Sequence, residues 1–187
     1  AFVTHSPLPR WKHATQLMLE KGKGPVIENL RIIQLLEADI NCLALNIYHE
    51  ARSERTAGMW AVADVTINRV RSSQFPNTVC EVVKQGPVYE SWKTRPFDLP
   101  QEERIFYPVK GRCHFSWWCD GIKDEPLELD SWTRAQSVAR NVMLHDIGLG
   151  LTDGADHYHA NSIMPFWAPG MTHITTIGNH IFYKSNR

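Results

Sequence analysis

Residues Tyr48–Val70 read YHEARSERTAGMWAVADVTINRV, and this stretch sets the fold class. From Thr56 onward, Met59, Val62, Ala63, Thr66, Ile67 and Val70 recur at three-and-four spacing. That spacing predicts a helix over Thr56–Val70 with one apolar face, and Thr56 stands where an N-cap hydroxyl is expected. Working back, Leu43, Ala44, Ile47, Glu50 and Ala51 follow the same rule, which predicts a second helix over about residues 38–52. Two such helices in succession begin a helical core.

Further out, the pattern changes on both sides. Residues 1–30 carry Pro7, Pro9, Gly22, Gly24 and Pro25, and only Trp11–Glu20 could form a helix there. This stretch reads as an N-terminal arm or wrap, and residues 31–187 as a single domain. Asn77 is placed to cap a short helix over Thr78–Lys84. Residues 86–130 then lose all periodicity: Pro87, Pro96, Pro100, Pro108 and Pro126 interrupt any long helix. Order returns at Ser131–His145, where Trp132, Ala135, Val138, Ala139 and Val142 line one side and Ser131 is the expected cap. The chain ends in extended segments, Asp156–Ala160, then Ile174–Ile177 joined to His180–Tyr183 by Gly178-Asn179, a hairpin signal. The expected class is α+β: a mainly helical core with a small antiparallel β element near the C-terminus.

Composition narrows the function. Twenty basic residues balance twenty acidic ones in 187, so no overall field favours nucleic acid or an anionic membrane. No apolar run approaches the roughly 20 residues that span a bilayer. The opening Ala1-Phe2-Val3-Thr4-His5-Ser6-Pro7 lacks the basic-then-apolar order of a signal peptide. Cys42, Cys80, Cys113 and Cys119 form no pair of CxxC motifs, which argues against a zinc ribbon. Either one or two disulfides or reduced thiols fit that set, with Cys113–Cys119 the shortest closure.

Glu50 draws attention on chemistry alone. It lies seven residues after Leu43 and three after Ile47, on the face those residues turn toward the core. Desolvation there raises a carboxyl pKa and keeps a proton on it near neutral pH, the state in which it can protonate a glycosidic leaving oxygen. The plainer explanation is a salt bridge with Arg52, Arg55 or Arg69.

Five ordered blocks favour the first explanation: Tyr48–Val70 above, SSQFPNTVCEVVKQ (Ser72–Gln85), CHFSWWCDG (Cys113–Gly121), DHYHAN (Asp156–Asn161) and IGNHIFYK (Ile177–Lys184). Together they resemble the bacterial and phage cell wall hydrolases of the spore-cortex-lytic type, over about residues 40–184. The resemblance implies a lysozyme-like domain that cleaves linkages from muramic acid to glucosamine, often as a lytic transglycosylase, with the catalytic glutamate at Glu50. Two departures stand out. His114-Phe115-Ser116 replaces the Gln-Phe-Ser of many members, and Val88–Arg112, with Trp92 and Phe106, has no counterpart in shorter ones and is expected to cover or extend the cleft.

On this basis Phe115, Ser116 and Trp118 are expected to offer a sugar platform, and Tyr158, His159 and Asn161 to bind acetamido or muramyl groups. Glu54, Arg69 and His114 are expected to support them, with Asn68 and Arg69 joining helices or anchoring Glu54. Bacterial peptidoglycan is the expected partner, at the extracellular or periplasmic side of the cell, with no cofactor or metal, and a monomer is the default. Hydrolysis by a muramidase would require a second carboxylate, for which Glu54 is the nearest in sequence. A zinc amidase could use His49, His157, His159 or His180, joined by Asp156, although no HExxH is present. A non-catalytic wall-binding module would need the aromatics but not the buried acid.

Overall fold

A computed structural model describes residues 26–186, with side chains from residue 29 onward. Most of the expected N-terminal arm, including its Trp11–Glu20 helix, therefore lies outside the described residues. Among the described residues four helices build the core: α1 (Val26–Ala51), α2 (Thr56–Arg71), α3 (Val79–Val83) and α4 (Leu129–His145). α1 starts well before the expected residue 38. Its first half carries Leu30, Ile33 and Leu35 largely in solvent, so no buried stripe marks it in the sequence.

The helix starts differ from expectation in consistent ways. α2 is capped by position Arg55 rather than Thr56, with no side-chain cap bond. At α3 the cap is Thr78, one residue after Asn77: its hydroxyl accepts from the Glu81 N–H and donates to the Glu81 carboxylate at 2.6 Å. That Thr-x-x-Glu arrangement resembles a capping box, in which hydroxyl and acid bracket the first turn. α4 begins at Leu129 after Glu128, and Ser131 lies inside its first turn, hydrogen-bonded to the Arg52 carbonyl.

α1 is the central element. Leu43, Ile47 and Ala51 are completely buried against Met59, Val62 and Ile67 of α2, Val82 and Val83 of α3, and Ala135, Ala139 and Val142 of α4. Burying side chains of this size contributes about 1.5–3 kcal/mol each, which makes this cluster the dominant source of stability. A disulfide between Cys42 and Cys80 ties α1 to α3. α2 also packs on its other side: Ala61 and Val65 meet Ala155 and Phe182 beneath the C-terminal sheet.

That sheet is antiparallel, with strand order β3 (His157–Ala160), β5 (His180–Lys184), β4 (Thr172–Ile177). Gly178-Asn179 makes the expected hairpin, with Gly178 at φ 60°, a conformation that favours glycine. The supposedly irregular region contains a second ribbon, β1 (Val88–Glu90) paired with β2 (Phe106–Pro108). Val88, Tyr89, Phe106 and Tyr107 are all substantially exposed, so no in-out alternation announces these strands. Just beyond, Cys113–Cys119 closes a second disulfide around the 3₁₀ turn Ser116–Cys119. The chain is thus α+β with the anticipated helical core and small C-terminal sheet.

Candidate active site

Glu50 occupies the last turn of α1 and is only half-buried. Its carboxylate does not close a buried ion pair with Arg52, which instead meets Glu128 at 3.3 Å. The group that reaches it comes from the sheet: the Tyr158 hydroxyl donates to Glu50 Oε2 at 2.9 Å. Burial pushes the Glu50 pKa up, while the Tyr158 hydrogen bond and the nearby Arg69 charge pull it down, with a net rise. Burial is also the main reason that the Tyr158 phenol lies well above its ordinary value, reinforced by the adjacent carboxylate, so it remains a donor.

Arg69, near the end of α2, is buried between aromatic faces, its guanidinium 4.8 Å from the Phe115 ring centre and 5.3 Å from that of Phe75. Its Nε donates to the Asp156 carbonyl at 2.7 Å, whereas Nη1 is enclosed without a hydrogen-bond partner. Desolvation lowers its pKa, and Tyr158, Asp156 and Glu50 act in the opposite direction. Asn68 donates to the Ala155 carbonyl at 3.0 Å and to Thr152 at 3.3 Å. Arg69 and Asn68 therefore hold the entry to β3, and neither anchors Glu54 as expected.

Asn179, in the hairpin turn, anchors Glu54 instead. Its side-chain amide donates to Oε1 at 2.9 Å and its backbone N–H to Oε2 at 3.2 Å. Glu54 is buried, and His180 Nδ1 lies 4.0 Å away. Sequence reading saw Gly178-Asn179 only as a turn. A buried acid separated from it by more than a hundred residues leaves no local signal.

The expected sugar contacts divide. Ser116 is exposed and Trp118 is half-buried, with Lys84 Nζ 4.8 Å above its ring. Asn161 is exposed, its backbone N–H bonded to the Asn179 carbonyl. Phe115 is instead sealed in the core at 2% exposure, with Arg69 against its ring. His159 is also buried: Nδ1 meets the Ala160 carbonyl at 2.9 Å and Nε2 the Tyr183 hydroxyl at 3.2 Å. Along β3 it faces away from Tyr158, because successive strand residues alternate. His114 is exposed, its pKa lowered by partial desolvation and by the charges of Arg69 and His157.

Other histidines are committed elsewhere. His157 bonds Asp156 at 2.8 Å, and His49 stacks on Trp117 at 4.5 Å with Nε2 on the Asp124 carbonyl. Among the described residues, no three His, Cys, Asp or Glu side chains gather as a metal-binding group. A pocket of about 330 Å³ lies on the His49 side of α1, walled by Tyr48, Arg52, Trp117 and Leu127 and not by Glu50. Two carboxylates, Asp64, which sequence reading missed, and Asp156, which it weighed only as a zinc ligand, organise loops. Asp64 accepts from the Gly150 and Thr152 N–H groups and the Thr152 hydroxyl. Asp156 is held at about 2: burial pushes up, but hydrogen bonds from His157 and Ser185 prevail.

A helical core that presents one protonatable acid to a tyrosine on a small sheet has the elements of a glycosidase-type acid/base centre. Comparison with known proteins identifies the family. The profile of the cell wall hydrolase family matches residues 53–183, and the chain belongs to this family. The matched span opens three residues after Glu50. Over 45 residues the chain is 49% identical to a spore cortex-lytic enzyme of Bacillus cereus, a match covering 24% of this chain and 17% of that relative. The chain thus corresponds to a small part of that relative's length. Its fold is similar to the catalytic domain of the germination-specific lytic transglycosylase SleB from Bacillus anthracis. That likeness has a TM-score of 0.50 at 30% identity and covers 78% of this chain and 93% of the other.

Proposed function

We propose that this protein cleaves the glycan backbone of bacterial peptidoglycan between N-acetylmuramic acid and N-acetylglucosamine, as a lytic transglycosylase with Glu50 as acid and base. The observation that carries the reading is the Glu50 carboxyl: half-buried, proton affinity raised, and held by the Tyr158 hydroxyl at 2.9 Å. Similarity to a lytic transglycosylase catalytic domain over most of that domain's length supports it.

In the first step Glu50 gives its proton to the glycosidic oxygen as the bond from the muramic C1 breaks and positive charge builds on that sugar. The glucosamine end leaves as an alcohol. The Glu50 carboxylate then takes the proton of the muramic C6 hydroxyl, whose oxygen bonds to C1 and closes a 1,6-anhydro ring. Glu50 ends protonated, and no water enters. Hydrolysis by a muramidase would call for a second acid about 5–5.5 Å or 6.5–9.5 Å from the first. Glu54 is bound at both oxygens by Asn179, and Asp156 by His157 and Ser185, which favours the one-acid route.

Ser116, Trp118 and Asn161 are the proposed sugar contacts, with Phe115 and His159 supporting them from behind. The site of action is the wall, on the extracellular or periplasmic side, and the enzyme works as a monomer without cofactor. Mass spectrometry of digested peptidoglycan tests the reading. Products one water lighter than ordinary muropeptides are expected; intact reducing ends would mean a muramidase, and freed stem peptides would overturn glycan cleavage altogether.

A further inference from the structure

We infer that Tyr158 and Arg69 form a positioning pair for Glu50, in which the tyrosine reserves Oε2 and thereby leaves Oε1 to carry the proton. This rests on the proposed role of Glu50 and deepens it. The two roles come from separate elements brought together by the fold: Glu50 from α1, Arg69 from α2 and Tyr158 from β3.

A carboxylic acid that gives up a proton and takes one back must keep one oxygen directed at the substrate throughout. The Tyr158 hydroxyl, donating at 2.9 Å, occupies the other oxygen. The phenol is itself fixed, its ring edge-on to His180 at 5.1 Å and tilted against Phe182 at 5.5 Å, so the hydroxyl has little freedom to leave Oε2. After proton transfer, the new carboxylate charge requires compensation in a place where water is sparse. Arg69 supplies it. A guanidinium sandwiched between Phe75 and Phe115 and bonded through Nε to the Asp156 carbonyl cannot swing into solvent. Its enclosed Nη1 lacks a hydrogen-bond partner, so part of its charge is left unspent on local bonds. A purely structural arginine at this depth would be expected to have its donors satisfied.

The charged and titratable groups around the pair are few. Asp156 and His157 lie at the start of β3 and meet in a 2.8 Å contact. His114 approaches from the loop before the 3₁₀ turn and feels the Arg69 charge. Glu54 and His180 lie on the far side of the Tyr158 ring, where Asn179 holds the carboxylate. Asp156 carries its negative charge into the acid range, whereas His114 loses the Arg69 charge in Arg69→Met, so Tyr158→Phe, which leaves that charge in place, is the deciding variant.

The test is the pH profile of kcat/KM on a purified peptidoglycan suspension for the parent, Tyr158→Phe, Arg69→Lys and Arg69→Met, with Glu50→Gln as reference. Losing either the hydroxyl or the cation raises the proton affinity of Glu50, so the alkaline limb moves to higher pH. Activity at neutral pH falls about ten- to a hundredfold in Tyr158→Phe, the worth of one hydrogen bond to a charged group. Arg69→Lys keeps the limb close to the parent's, while Arg69→Met shifts it. Tyr158→Phe preserves the ring and its packing, so it keeps the test decisive even where an Arg69 variant fails to fold. A Tyr158→Phe profile of parent shape, merely scaled down or unchanged, would overturn the inference. If Glu50→Gln is inactive while the Tyr158→Phe limb stays in place, only the positioning pair fails. If Glu50→Gln is fully active, the assignment of Glu50 fails with it.

Discussion

Asn179 donates twice to Glu54, from its side-chain amide at 2.9 Å and its backbone N–H at 3.2 Å, and so fastens the sheet's hairpin to the junction between α1 and α2. Glu50 stands four residues before this junction acid and Tyr158 lies on the strand beside β5, so the same clasp fixes the distance between helix end and sheet. Glu54 accordingly acts as a fastening, with both oxygens used up.

Replacing the clasp should cost stability before it costs chemistry. Asn179→Ala removes the amide donor and leaves a buried carboxylate short of a partner, a loss of about 1–3 kcal/mol. Gly178→Ala should be at least as damaging, since a Cβ there would collide with Glu54 Oε2 on a backbone at φ 60°. Denaturant midpoints measure both losses. Glu54→Gln, assayed below its unfolding temperature, should yield the same products as the parent; a switch in product type would mean that Glu54 takes part in the reaction.

Glu50→Gln tests the opposite case, a residue that the proposed function would hold for chemistry at the expense of stability. Loss of the acid should reduce turnover of cell walls by about 10²–10⁴-fold. The stability effect has a definite sign. The folded pKa is raised, so the folded state keeps its proton longer than the unfolded chain, and ionisation weakens the fold as pH climbs from the ordinary carboxyl range through the raised value. Parent and variant should therefore melt alike in acid, and the variant should melt higher at neutral pH. A variant less stable than the parent at neutral pH would show that the carboxylate is a structural group.

How far these relationships were legible in the sequence depends on whether a residue's partner is local. Met59, Val62, Ile67 and Val70 announce α2 because one face of it is wholly buried. The first half of α1 and the β1–β2 ribbon stay hidden because Leu30, Leu35, Tyr89 and Tyr107 face solvent and leave no period. Glu50 was legible as an acid out of place on an apolar stripe. Its contact with Tyr158, 108 residues later, was not, because the residues between give no measure of how the sheet meets the helix. Phe115 looked like a sugar platform for the same reason: an aromatic beside Ser and Trp reads alike whether it faces a groove or, as here, a buried guanidinium.

Asp156 provides a second pH signature, opposite in sign to that of Glu50. Its folded pKa is depressed from 3.8 to about 2 by the bonds from His157 and Ser185, which outweigh burial. The stability it contributes is present in full above the ordinary aspartate value and is lost as pH falls through about 2. Asp156→Asn should thus destabilise by on the order of 1–2 kcal/mol at neutral pH, allowing for the water that still reaches the group. The two proteins should converge in strong acid. Thermal melts across that range check it, and a constant difference at all pH values would assign the loss to packing instead of charge.

The disulfides differ in what they constrain. Cys42–Cys80 spans 38 residues and joins α1 to α3, whereas Cys113–Cys119 spans 6. Loop-closure entropy then assigns about 4 kcal/mol to the first and about 2 kcal/mol to the second. Paired Cys→Ser replacement of Cys42 and Cys80 should lower the melting temperature more than that of Cys113 and Cys119. Activity should follow the reverse order. The short bridge closes on the turn that presents Ser116 and Trp118, and the long one holds helices already packed by Leu43, Ile47 and Val83. Wall-clearing rates of folded protein at a temperature where all variants are intact measure this. Equal activity in the Cys113/Cys119 variant would show that its turn keeps its shape without the bridge, and that Ser116 and Trp118 are positioned by the Phe115 core contact alone.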